Sequence, residues 1–175
     1  MRYRRADVEG GTYFFTVNLA ERKRTLLAEQ LAILRTAMRE VSSRHPYRTD
    51  ALVILPDHLH AIWTLPTGDR DFATRWALIK AGFSRRIAAG ERRSGSRTMK
   101  GERGIWQRRY WEHLIRDELD FARHADYIHF NPVKHGHVTR AVDWPHSTFH
   151  RHVEAGVYPL DWGGAVEDGR FGERR

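Results

Sequence analysis

The chain of 175 residues contains no cysteine. That excludes a disulfide scaffold, a thiol nucleophile and a Cys-ligated zinc or iron–sulfur site, and it fits a reducing compartment such as the cytoplasm. No apolar run approaches the about 20 residues that span a bilayer. The start, Met1 to Gly11, is charged rather than signal-peptide-like, so no membrane partner is expected. Acids are the scarcer charge: 22 Asp plus Glu face 30 Lys plus Arg, a formal +8 that points towards a polyanion. Aromatics are not scarce. With 6 Trp, 6 Tyr and 8 Phe the chain has material for a core and is not intrinsically disordered. Its length allows one sizeable core and hardly two, so residues 1–140 are read as one domain and 141–175 as a C-terminal tail packed on or near it.

The positive charge is concentrated. Between positions 85 and 109 stand Arg85, Arg86, Arg92, Arg93, Arg97, Lys100, Arg103, Arg108 and Arg109, against only Glu91 and Glu102. Gly90, Gly95, Gly101 and Gly104, with Ser94 and Ser96, make this stretch read as a mobile loop. Such a loop either contacts phosphates and releases counterions or is merely a solvated surface.

Strand and helix patterns alternate. Thr12 to Asn18 (TYFFTVN) reads as a strand, and Leu27, Leu31, Leu34, Met38 and Val41 mark an amphipathic helix from about Ala20 to Arg44. Tyr47 to Leu55 and His58 to Leu65 read as a hairpin about Pro56-Asp57, and Phe72 to Ala89 is helical again. Trp106 to Ile115 is strand-like. Asp117 is a plausible N-cap for a helix that stops near Pro132 and Gly136, after which Trp144-Pro145 and Tyr158-Pro159 mark an ordered but irregular tail. The pattern predicts an α+β, ferredoxin-like sandwich: an antiparallel sheet of about four strands with helices on one face.

Two stretches carry chemistry. In a strand, His58 and His60 project to one face while Leu59 points into apolar packing, and two neutral imidazoles on one face can hold a divalent ion with positions left open. Tyr127 and Asn131, at i and i+4 of the last helix, lie about one turn apart on one face. A phenol there is a candidate nucleophile, and Asn131 could add an amide oxygen, although Pro132 disfavours helical geometry at the residue before it. Tyr110 competes with Tyr127. It lies in Trp106-Gln107-Arg108-Arg109-Tyr110-Trp111, whose alternating aromatic and basic side chains suit sheet packing or stacking on unpaired bases.

The chain resembles the REP-associated tyrosine transposases, relatives of single-tyrosine insertion-sequence transposases in the HUH endonuclease superfamily. The resemblance runs nearly end to end, through Gly10 to Asn18, Leu55-Pro56-Asp57-His58-Leu59-His60-Ala61-Ile62-Trp63, Ile105-Trp106-Gln107 with Trp111-Glu112-His113, Asp126 to Gly136, and Asp143 to His150. It implies His58 and His60 as ligands of Mg²⁺ or Mn²⁺, Tyr127 as nucleophile, and Asn131 where relatives carry a third, amide-bearing ligand. The implied substrate is single-stranded DNA containing repetitive extragenic palindrome hairpins, cleaved through a 5′-phosphotyrosine, by a monomer or a homodimer. Two rivals remain: a non-catalytic ferredoxin-like single-stranded nucleic-acid binder, and a zinc hydrolase drawing on His113, His124 or His129.

Overall fold

The computed structural model describes residues 8–21, 25–164 and 171–172. The chain runs β1 (Thr12–Asn18), α1 (Leu26–Glu29), α2 (Leu31–Arg44), β2 (Arg48–Ile54), β3 (His58–Thr64), α3 (Phe72–Arg86), α4 (Gly95–Met99), β4 (Trp111–Leu114), α5 (Glu118–Lys134), a 3-10 turn at Ala141–Asp143 and α6 (Phe149–Glu154). All four strands pair antiparallel in the order β2-β3-β1-β4. This is the ferredoxin-like arrangement predicted from the alternation of patterns.

Strand alternation divides the sheet into two faces. On one, Tyr13, Phe15 and Val17 of β1 and Leu59, Ala61 and Trp63 of β3 meet Leu34, Ala37, Met38 and Val41 of α2 and Phe72, Trp76, Ile79 and Phe83 of α3. Trp63 and Trp76 stack with ring centroids 4.1 Å apart. Each large side chain fully buried here stabilises the fold by about 1.5–3 kcal/mol. On the other face, Phe14, Ala51, Val53 and Ile62 pack against Ala125, Tyr127 and Ile128 of α5. Helices on one face only is therefore a partial description. It holds for α1 to α3, but Phe14 and Phe15 are both fully buried on opposite faces, and the second face needs its own cover.

Other boundaries shift for physical reasons. The long helix expected from Ala20 breaks at Gln30 into α1 and α2. The strand expected from Trp106 shrinks to Trp111–Leu114, because Trp106 packs on Phe83 and Lys80 Nζ takes the carbonyl of Gln107 at 3.1 Å. The basic stretch is not a free loop. Arg103 donates to the Glu91 carboxylate and to the carbonyls of Ser84, Ile87 and Ala88, and α4 forms within the stretch.

At the start of α5, Asp117 Oδ1 accepts from the Asp120 N–H at 2.8 Å, an N-cap as predicted. The helix continues through Pro132 and ends at Lys134, two residues before Gly136, whose φ of 70° is left-handed. The segment after α5 covers the β2 edge: Val53 bridges Ser147, Thr148 N–H donates to Leu52 O, and Trp144 Nε1 donates to Ile54 O. No described helix is long and apolar enough to cross a membrane.

Candidate active site

The register of β1 on β3 sets Thr16 opposite His60 and Asn18 opposite His58, all facing α5. Both histidines are buried, and their rings are 5.0 Å apart. Hydrogen bonding fixes their tautomers. The Asp57 carboxylate can only accept, so His58 Nδ1–H donates to Asp57 Oδ1 at 2.6 Å. The single hydrogen of the Thr16 hydroxyl goes to the carbonyl of Phe171 at 2.6 Å, so this oxygen accepts from His60 Nδ1–H at 2.8 Å. With Nδ1 carrying the proton, Nε2 is the nitrogen of each ring with a lone pair able to ligate an ion, while an oxygen at Nδ1 fixes the ring's orientation. The donor set fits a divalent metal.

Helix α5 brings Tyr127 to the same place. The His60 and Tyr127 ring centroids are 5.2 Å apart, and Tyr127 also lies edge-on to Phe14 at 6.2 Å. Tyr127 is 2% exposed, but its oxygen does not end in apolar packing, because Lys134 Nζ donates to it at 3.0 Å. The cover over the ring comes from Phe171, stacked on it with centroids 3.7 Å apart and planes 18° apart. Asn131 is fully buried one turn further along the same helix. Its place before Pro132 does not push it out of the helix. His135, just past the helix end, sets its ring edge-on to His58 at 5.2 Å.

A second group, His113, Asp120 and His124, gathers three potential ligand atoms within 4.8 Å of one another. Their hydrogens argue for an ion-pair network instead. Asp120 Oδ2 accepts from His113 Nε2 and from the Arg116 backbone and guanidinium, while His124 Nδ1–H donates to the Asp120 carbonyl. The nitrogens nearest Asp120 therefore bear protons, and the two imidazole planes are stacked 15° from parallel, so their in-plane lone pairs do not converge. Burial works against the Asp120 charge, but the bonds from Arg116 and His113 hold its carboxyl far below the usual carboxylate range. His129 lies elsewhere, fully buried with His152 and Tyr158, and burial pushes its imidazole down to about 3. The three histidines of the hydrolase alternative do not share a site.

The residues named for DNA contact divide into two sets. Arg103 clamps the loop and holds Glu91 down at about 2, Arg86 pairs with Glu40, Arg97 donates to the Trp106 carbonyl, and Arg108 pairs with Glu102. Trp106 is only 7% exposed, and Tyr110 lies partly buried against the apolar core. Neither offers an open ring to a base. Arg85, Arg92, Lys100 and Arg109 are exposed, and no ion pair of theirs is found among the described residues. Arg93 reaches Glu91 at 3.5 Å. Trp111 is 37% exposed, with Gly172 against its ring. A cleft of about 860 Å³ opens between α3 and the basic segment, lined by Lys80, Arg85, Arg97, Trp106 and Arg108 among others.

Four contributors escaped the sequence reading: Thr16, Asp57, Lys134 and Phe171. Thr16 follows from strand alternation and Asp57 from its place beside His58. Lys134 stands two helical turns after Tyr127, a spacing that could have found it. Nothing local marks Phe171.

A ferredoxin-like sheet that sets a His-hydrophobe-His pair against a helical tyrosine defines the class of single-tyrosine HUH nucleases. No protein-family model matches the chain. Its sequence is 48% identical over 172 residues to a REP-associated tyrosine transposase of Escherichia coli strain K12, covering 98% of this chain and 96% of that one. A solved structure of a REP-associated tyrosine transposase bound to a REP hairpin superposes with a TM-score of 0.86 at 47% identity, covering 100% of this chain and 98% of the other. The chain belongs to the REP-associated tyrosine transposases and is a DNA transposase, of a family that implies a divalent metal.

Proposed function

We infer that this protein cleaves and rejoins single-stranded DNA beside repetitive extragenic palindrome hairpins, with Tyr127 as nucleophile and a 5′-phosphotyrosine as the covalent intermediate. The observation that carries this reading is the convergence of His58, His60 and Tyr127, with ring centroids 5.0 Å and 5.2 Å apart in sequence. In this reading residues 1–140 hold the chemistry, residues 141–175 are the C-terminal tail, and the DNA substrate assigns the protein to the cytoplasm.

His58 and His60 would hold the ion, with Asn131 as the third, amide-bearing ligand. A divalent ion bound there supplies positive charge to the scissile phosphate. Two imidazoles suit Mn²⁺ better than Mg²⁺, whose preference is for oxygen. The Tyr127 oxygen attacks phosphorus in line as the bond to the 3′-oxygen breaks, and the released 3′-hydroxyl leaves the 5′-phosphate on the enzyme. Attack by a 3′-hydroxyl reverses the step without ATP, because the linkage conserves the phosphodiester. Phe171 occupies one face of the Tyr127 ring and covers it. Arg85, Arg92, Arg93, Lys100 and Arg109 hold the hairpin backbone, with Trp111 available to an unpaired base. Arg86, Arg97, Arg103 and Arg108 are engaged by carboxylates or backbone carbonyls, and Trp106 and Tyr110 support that segment from within.

The test is cleavage of a hairpin-bearing single strand with Mn²⁺ by the parent and by Tyr127→Phe. The variant should bind the strand as the parent does and cleave none of it. Undiminished cleavage by Tyr127→Phe refutes the assignment. Binding without cleavage by both proteins favours the non-catalytic binder, a reading with little support in a sheet covered on both faces.

A further inference from the structure

Lys134 has an ordinary explanation, as a cation in the last turn of α5 facing the carbonyl end of the helix. Its side chain does something else. It stands two turns after Tyr127, about 10 Å along the helix axis, and its Nζ lies 3.0 Å from the Tyr127 oxygen and 4.6 Å from the centre of that ring. Both distances place the ammonium against the phenol at its oxygen.

We propose that Lys134 is a catalytic residue whose ammonium carries the negative charge on the Tyr127 oxygen, both as that oxygen attacks and as it departs during rejoining. The proposal rests on Tyr127 being the nucleophile. In the forward step the oxygen–phosphorus bond forms, the phosphorus–3′-oxygen bond breaks, the phenolic proton passes to water and the 3′-oxygen takes a proton from water. Lys134 keeps all its protons throughout and only donates. The reverse step returns the same charge to the same oxygen, so one ammonium serves both directions. A charge-assisted bond of this kind is about twice as strong as a neutral one, and it is strongest when the charge is fullest. The arrangement therefore favours the transition state over the resting phenol.

The experiment compares the full-length parent, Lys134→Gln and Lys134→Arg in single-turnover cleavage of a hairpin-bearing oligonucleotide with Mn²⁺, in rejoining from the isolated covalent adduct, and in binding of the uncleaved strand. Lys134→Gln should slow both chemical steps by about tenfold or more while changing strand affinity by less than about twofold. Lys134→Arg, which keeps a charged donor, should recover most of the loss. Replacing Tyr127 by 3,5-difluorotyrosine, whose more acidic phenol needs less help, should accelerate Lys134→Gln more than it accelerates the parent. A loss of affinity equal to the loss of rate, with no fluorine rescue, would overturn the proposal and make Lys134 a phosphate contact. Unchanged rates would return it to the helix end. A parent that forms no adduct on Tyr127 removes the nucleophile itself, an outcome separable from an active parent with an indifferent Lys134→Gln.

Discussion

The two faces of the sheet are built by the same strands and have opposite characters. Facing α2 and α3, alternate residues of β1 and β3 are Tyr13, Phe15, Val17, Leu59, Ala61 and Trp63, interlocked with Trp76 and Phe83. Facing α5, the residues between them include Thr16, Asn18, His58 and His60, all buried and polar. Burying polar groups costs stability unless they are hydrogen-bonded, so the second face depends on its Asp57–His58 and Thr16–His60 bonds. The lesson is a division of labour by parity: one residue set supplies stability, and its neighbours are free to carry chemistry.

Substitutions on the two faces can break or sharpen that contrast. Trp63→Ala should cost about 3–5 kcal/mol, read from urea denaturation, whereas His60→Asn should cost under about 2 kcal/mol yet abolish Mn²⁺-dependent cleavage. Equal destabilisation by the two would end the distinction. Next in size, Asp57→Asn should weaken Mn²⁺ binding by about tenfold or more in calorimetry, by loosening the orientation of His58 with little change in melting temperature. Smaller again is the effect of Phe171→Ala. An aromatic contact is worth about 0.5–1.5 kcal/mol, so uncovering Tyr127 should raise the single-turnover cleavage rate by up to about tenfold; a slower variant would mean that Phe171 helps to build the site.

The smallest effects belong to the basic segment. Arg109→Ala should lower the salt dependence of hairpin binding by about one unit of log–log slope, whereas Arg103→Ala should act chiefly by exposing the segment to limited proteolysis. Glu91, held by Arg103 at about 2 rather than the ordinary 4.5, stabilises the clamp fully above about pH 4.5 and loses that contribution as pH falls towards 2. Hydrogen exchange across residues 90–104 should show protection persisting down to about pH 4, and Glu91→Gln should remove it at neutral pH.

Much of this was legible in order along the chain. Strand alternation put His58 and His60 on one face and Leu59 on the other, and the N-cap at Asp117 located α5. What periodicity does not encode is which face of a sheet an amphipathic helix will cover, so the placement of α5 opposite α2 and α3 was hidden. The clamp of Arg103 on Glu91 joins residues 12 apart through a loop without a regular repeat, and a run of charge there reads as solvated. Phe171 reaches Tyr127 from 44 positions away in sequence by pure tertiary packing.

The most direct measurement is to trap the protein on a hairpin-bearing strand with Mn²⁺, digest it, and identify by mass spectrometry the peptide that carries the nucleotide. The account predicts a 5′-phosphate ester on Tyr127, absent when His58 and His60 are both changed to Ala. An ester on Tyr110 or any other residue, or cleaved strand with no protein-linked nucleotide, would contradict it.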